Sequence, residues 1–207
     1  MTSSHARRRW PAPAAAGVTV LLWASAFVSI RSAGEFYSPG ALALGRLAAG
    51  SLVLVAVLLL TRTGWPPRAA WPGIAASGVL WFGVYMVALN WGEREVDAGT
   101  AAMVVNLGPV LITLLSAVWL GEGLPRPLLW GTAVAFTGAV VVGAATAGAQ
   151  GASVLGVLLC LVAAVTYAVG VVLQKPALRH ASALQVCAFG CLVGTVVCLP
   201  FAGWRTR

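Results

Sequence analysis

Seven apolar stretches, each about the length needed to cross a bilayer, follow one another with breaks of only a few residues. A hydrocarbon core about 30 Å thick needs roughly 20 apolar residues of helix. Laid along the chain, that length predicts spans near 13–31, 40–61, 71–91, 99–120, 127–147, 153–174 and 183–203. Turn and breaker sequences separate them: YSPG at 37–40, GWPP at 64–67, EREVDAG at 93–99, GEGLPRP at 121–127, AGAQG at 147–151 and KPALRHAS at 175–182. Breaks this short make successive helices antiparallel and leave no room for a soluble domain between them. Composition agrees. The chain is 60% hydrophobic and 9% charged, with a mean hydropathy of +0.92, whereas soluble domains carry about 25% charged residues. The fold expected is all-α: a polytopic transmembrane helix bundle of about seven spans, with the lipid bilayer as its solvent.

Aromatic and basic residues fit that ruler. Trp10, Trp65, Trp71, Trp91, Trp119, Trp130 and Trp204 fall at or near expected span ends, where indole favours the headgroup layer. Trp23 and Trp81 fall near mid-span and need another explanation. With the N-terminus inside, the cytoplasmic side holds Arg7, Arg8, Arg9, Arg62, Arg68, Arg126, Lys175 and Arg179, against Arg31, Arg94, Arg205 and Arg207 outside. That excess orients the helices and accounts for the basic balance without nucleic acid. Arg7–Arg9 before an apolar run, with Ala24-Ser25-Ala26 beyond, also resembles a signal peptide, but the run is long enough to span.

A gap-free slide of 144 residues pairs Trp23 with Tyr167, Arg31 with Lys175, Ser38 with Ser182 and Gly50 with Gly194. Identity is low: Val18, Ala24, Val28, Ala33, Ser38, Gly50 and Val53 are the unchanged positions over 17–53. What repeats is the order: an aromatic, apolar turns, a base, a serine, then a helix with glycine at one depth. The offset covers five helices, an odd number, so the second copy enters the membrane from the opposite side. Inverted repeats of this kind mark many secondary transporters, whose site lies near the midplane between the halves.

Trp23-Ala24-Ser25-Ala26-Phe27 with Arg31, Ser38-Pro39, Arg46, Ala88-Leu89-Asn90-Trp91, Gly108-Pro109, Leu120-Gly121-Glu122, Gly131 and Gly138 follow one another over most of the first copy. In this order and spacing the chain resembles the EamA-type members of the drug/metabolite transporter superfamily. Gly123 departs from the pattern, since the family commonly has a basic residue after the glutamate. The resemblance implies ten helices in two five-helix repeats, both ends cytoplasmic, and small organic metabolites as substrates. Residues 11–147 would form the first repeat, and 153–207 an incomplete second repeat of two helices. Residues 1–207 alone are then expected to insert without catalysing saturable transport, unless a homodimer supplies the missing wall.

Candidate pocket residues are the polar and aromatic groups at intermediate depth: Trp23, Ser25, Trp81, Tyr85, Asn106, Thr113 and Tyr167. Trp81 and Tyr85 share a helical face, while Asn106, Pro109, Thr113 and Ser116 draw a polar stripe along span four. Each of these polar groups could equally be glue between helices. Pro109 removes a backbone donor, which predicts a kink that either gates or simply packs. Arg46, the one charge well inside an expected span, could snorkel, pair with Glu35 or hold an anionic solute. Ala41-Gly45-Ala49 and Gly131-Ala135-Ala139-Gly143 predict close helix–helix contacts.

Other functions find no support. Glu35, Glu93, Glu95, Asp97 and Glu122 fall at span ends or in loops, so an embedded proton relay is not expected. Cys187 and Cys191 are four apart, where a metal or redox role competes with simple packing. His5 and His180 lie outside the spans, and no GxSxG, HExxH, Walker or Rossmann motif occurs, so neither an enzyme, a metal nor a cofactor is expected. A retinal protein needs a lysine deep in its last helix, and the sole lysine is Lys175. The reading is a transporter of small amphipathic metabolites in the plasma membrane, the alternative a non-transporting fragment or assembly partner. High Ala and Arg with a single Lys suggests a bacterium of high GC content.

Overall fold

A computed structural model describes residues 12–146 and 153–203 as an α-helical bundle with no strand among them. The expectations for Arg7–Arg9, Trp10, Trp204, Arg205, Arg207 and the AGAQG break lie outside these residues. The helices are α1 Ala12–Gly34, α2 Pro39–Leu60, α3 Trp71–Ser77, α4 Tyr85–Glu95, α5 Ala98–Val105, α6 Leu107–Leu120, α7 Arg126–Thr146, α8 Val154–Gln174 and α9 Ala183–Cys198. A π-helical stretch, Gly78–Val84, joins α3 to α4.

Among the described residues six segments are long and apolar enough to cross a membrane: Ala16–Gly34, Pro39–Leu60, Arg68–Glu95, Ala98–Leu120, Val154–Arg179 and Ala183–Phe201. The fifth expected span forms a helix as well, α7, of 21 residues. Span three runs on to Glu95, one turn past its expected end. Glu93 and Arg94 therefore stand on a helix wall rather than in a loop. Asp97 stops that helix and caps α5, accepting 2.9 Å from the Thr100 N–H and 2.6 Å from the Thr100 hydroxyl. These bonds hold its carboxyl below the usual range.

The repeat register recurs in the caps. Ser38 accepts from the Ala41 N–H to start α2, and Ser182, 144 residues later, accepts from the Gln185 N–H to start α9. Such a cap satisfies an orphan donor at the first turn. Two contacts join residues separated by the same offset. The Ser51 and Thr195 hydroxyls lie 3.1 Å apart between α2 and α9, and the Trp23 and Tyr167 rings meet edge-on at 6.5 Å between α1 and α8.

The core sits where α2, the π-stretch and α4 meet α8 and α9. Tyr85, Ala88, Leu89, Val104, Val105, Cys160 and Ala163 form its largest cluster, and Ala43, Leu47, Cys191 and Cys198 seal α2 against α9. The cysteines are thiols: Cys160, Cys191 and Cys198 are buried and Cys187 half-buried. By contrast, α1 touches α2 and α4 lightly, and α7 rests on α5 and α6.

The small-residue ladders do not do what their spacing predicted. Gly45 and Gly131 meet no neighbour within 4 Å, and Ala49 and Ala135 are exposed. A ladder brings helices together only where a second helix lies on its side. The close approaches occur elsewhere. A Cβ at Gly170 would stand 2.8 Å from Trp81 Cβ, and one at Gly194 would stand 2.5 Å from Phe82 Cβ.

Candidate functional site: an aromatic cavity with an embedded arginine

Span three is the backbone of the site. In the π-stretch the Tyr85 N–H reaches back five residues to the Leu80 carbonyl, which widens the turn. Such turns recur at functional sites. Here the widened turn carries Trp81 and Phe82, with Tyr85 and Met86 one turn on. Trp23, Ile30, Arg46, Trp81, Phe82, Tyr85, Met86 and Leu89 enclose a cavity of about 200 Å³.

Tyr167 packs behind this wall, its ring 5.6 Å from Trp81 and 5.6 Å from Tyr85, while Trp81 lies 4.8 Å from Phe82. Offset and edge-on pairs at such distances add roughly 0.5–1.5 kcal/mol beyond burial. The set is a stiff aromatic box rather than loose filler. Its backbone support is glycine: Gly170 admits Trp81, and Gly108 faces the Tyr167 ring.

Arg46 supplies the polar end. Its Nη1 donates 3.3 Å to Asn90 Oδ1, and Asn90 Nδ2 donates 3.1 Å to the Pro39 carbonyl. Asn90 is 2% exposed, so its amide is fixed. The expected partner of Arg46, Glu35, is not bonded to it. Glu35 instead lines an adjoining cavity of about 320 Å³ with Ile30, Gly34, Asn90, Glu93 and Arg94. A third, of about 420 Å³, adds Phe36, Tyr37, Ser38 and Ala41. The second cavity shares Ile30 with the aromatic box, and the third shares Glu35 and Arg94 with the second.

The opposite end of the bundle is latched. Gly156, at the start of α8, packs on Glu95 and Val96, so Lys175, beyond the end of α8, lies at the far side from Glu93. Lys175 Nζ donates 2.8 Å to Ser116 Oγ and 2.6 Å to Glu122 Oε2. Gly121, at φ +64°, ends α6 in the left-handed region that glycine adopts without a Cβ penalty. The chain therefore turns sharply where Glu122 meets the lysine.

The structure gathers Trp23, Arg46, Trp81, Tyr85 and Tyr167 and leaves the other candidates elsewhere. Ser25 is exposed and donates to Leu22 O of its own helix. Asn106 is exposed and donates to Ala102 O, and Thr113 donates to Pro109 O. Helix 98–120 breaks at Asn106, three residues before Pro109, because the proline ring cannot coexist with a regular helical carbonyl four residues earlier. Phe82 and Met86 were not singled out from sequence, and Asn90 only as part of the Ala88–Trp91 motif, not as a site residue. A signal existed: they recur every four residues beside Trp81, Tyr85 and Leu89, and Asn90 is the amide on that face.

The apolar helices define a polytopic α-helical membrane protein, and the aromatic cavity with its embedded cation is its candidate site. The chain belongs to the EamA-like transporter family, whose model matches residues 12–144 and 154–207. It is 37% identical over 183 residues to a protein of Streptantibioticus cattleyicolor named "Probable terminal-alkyne amino-acid exporter", covering 88% of this chain and 61% of that one. An uncharacterized transporter of Archaeoglobus fulgidus is 30% identical, covering 89% of this chain and 64% of its own. The uncharacterized transporter YdfC of Bacillus subtilis is 33% identical, with 87% and 58% covered. The chain thus spans about three fifths of the length of the curated relatives it matches. No solved structure matches it.

Proposed function

We propose that the protein is a secondary transporter that moves small amphipathic organic solutes across the plasma membrane by alternating access, with the cavity between Trp23, Arg46, Trp81 and Tyr85 as its binding site. The reading is supported by the pairing of that cavity, whose neighbours are lined by Glu35, with an ion pair between Lys175 and Glu122 at the other end. An alternating-access protein needs one end open while the other is shut. The contacts between residues 144 apart support two inverted repeats, 11–147 and 153–207, related by an axis between α2 and α9. The Streptantibioticus relative's name supports export of small organic molecules.

The test is efflux from cells carrying the full-length gene, loaded with a panel of labelled amphipathic solutes. At least one solute leaves faster than from control cells, with a rate that saturates and falls when an unlabelled analogue competes. Rates matching the control across the whole panel would favour the alternative, a non-transporting membrane partner.

Orientation is tested separately. On a background lacking native cysteines, Tyr37→Cys, exposed in the loop before α2, reacts with an impermeant thiol reagent applied to intact cells. Ala69→Cys, exposed near the start of span three, reacts only after permeabilisation. The reverse pattern contradicts a cytoplasmic N-terminus.

A further inference from the structure

We infer that the solute taken by this cavity carries a carboxylate, held by Arg46, with Asn90 as the positioning residue behind it. The inference rests on the transport reading for its cavity, and on the polar geometry for its chemistry.

A guanidinium presents five N–H donors and no acceptor. Among the described residues Arg46 spends one donor on a neutral amide, at the long end of hydrogen-bond range, and Glu93 attracts its charge electrostatically, which leaves the remaining N–H donors of the fork for a solute. A half-buried cation within a membrane helix marks a functional partner by default, because so few groups there can neutralise it. Asn90 shows which way the partner lies. Its Nδ2 is committed to the Pro39 carbonyl, so only Oδ1 can face the arginine. The buried amide thereby fixes one edge of the guanidinium, and Arg46 also forms part of the cavity wall opposite the aromatic rings.

The planar fork of arginine matches a carboxylate in two parallel hydrogen bonds. A neutral carbonyl can accept from one of those donors but brings no charge to compensate that of the guanidinium. The apolar remainder of the solute then lies against Trp23, Trp81, Phe82 and Met86. At about 200 Å³ the space is smaller than the roughly 300 Å³ at which drug-sized sites begin. That suits a short carboxylic acid with one apolar group.

The test uses matched probes, 3-phenylpropanoate and its neutral isostere 3-phenylpropanamide, titrated calorimetrically into the protein in phosphatidylcholine nanodiscs. The acid binds more tightly than the amide. Arg46→Gln weakens the acid by about 10- to 100-fold, the range of a charge-assisted hydrogen bond, and weakens the amide by much less. Arg46→Lys retains part of the affinity. Asn90→Asp places a carboxylate of the protein's own against Arg46 and weakens the acid as Arg46→Gln does, again with much less effect on the amide, a split that misfolding would not produce. Equal affinity of wild type for acid and amide overturns the anion anchor while leaving the cavity as a solute site. Absence of binding by both probes overturns the cavity as well. Nanodiscs rich in phosphatidylglycerol give the same acid affinity. Loss of binding there would assign Arg46 to lipid phosphate and overturn the proposal.

Discussion

Trp81→Ala lowers solute efflux by about tenfold or more, the equivalent of ~1.4 kcal/mol, while the variant reaches the membrane in near-normal amount. Trp81 lines the cavity and touches both Phe82 and Tyr167, so truncation removes one whole wall of the box. It is half-buried rather than core, which lets efflux and abundance separate. Tyr85 does not offer that separation: at 8% exposure it belongs to the main core cluster. Truncating a buried aromatic to alanine costs about 3–5 kcal/mol, so Tyr85→Ala lowers abundance along with efflux. Ser25→Ala and Thr113→Val leave both unchanged, because each hydroxyl bonds only its own helix. Efflux and abundance are read together from quantitative blots and initial rates. Parallel loss of both in Trp81→Ala would make Trp81 packing and nothing more.

The second large effect belongs to the latch. With Glu122→Cys and Lys175→Cys joined by a short bis-methanethiosulfonate cross-linker, which forms a disulfide with each thiol and releases methanesulfinate, efflux falls to background, and reduction of the linker restores it. Lys175 ties the turn after α6 to the end of α8, and Ser116 holds the ammonium from inside α6. An exposed ion pair of this sort contributes only about 0–1 kcal/mol. It can therefore open in each cycle, whereas a covalent link cannot. Full efflux in the linked protein would mean that this end does not move.

These two sites were legible from the sequence to different degrees. Span length and breaker chemistry predict the helices well, since lipid allows a backbone few alternatives. The four-residue spacing of Trp81 and Tyr85 placed them on one face, and the repeat offset made Trp23 and Tyr167 equivalent positions, whose rings the structure brings together. Polarity at mid-depth misled for Ser25, Asn106 and Thr113. In lipid a short hydroxyl or amide is satisfied by a carbonyl three or four residues back on its own helix, and needs no pocket.

The π-stretch could not be read, because one hydrogen bond shifted by one residue leaves no compositional trace. Its consequence is large: it sets Trp81 and Phe82 side by side on the wall. Arg46 was visible as an embedded charge, but its partner Asn90 lies 44 residues away, and tertiary pairing decided it. Glu93 came to the wall because the helix ran one turn further than its hydropathy.

Alternating access around this cavity is tested most directly at Met86, which lines it. Met86→Cys, on the cysteine-free background, is labelled by an impermeant thiol reagent applied to either face of sealed vesicles. The account predicts labelling from the Glu35 face in the resting protein. Adding transported solute slows labelling from that face and raises it from the Lys175 face. Labelling from one face alone, at a rate that solute does not change, would contradict it.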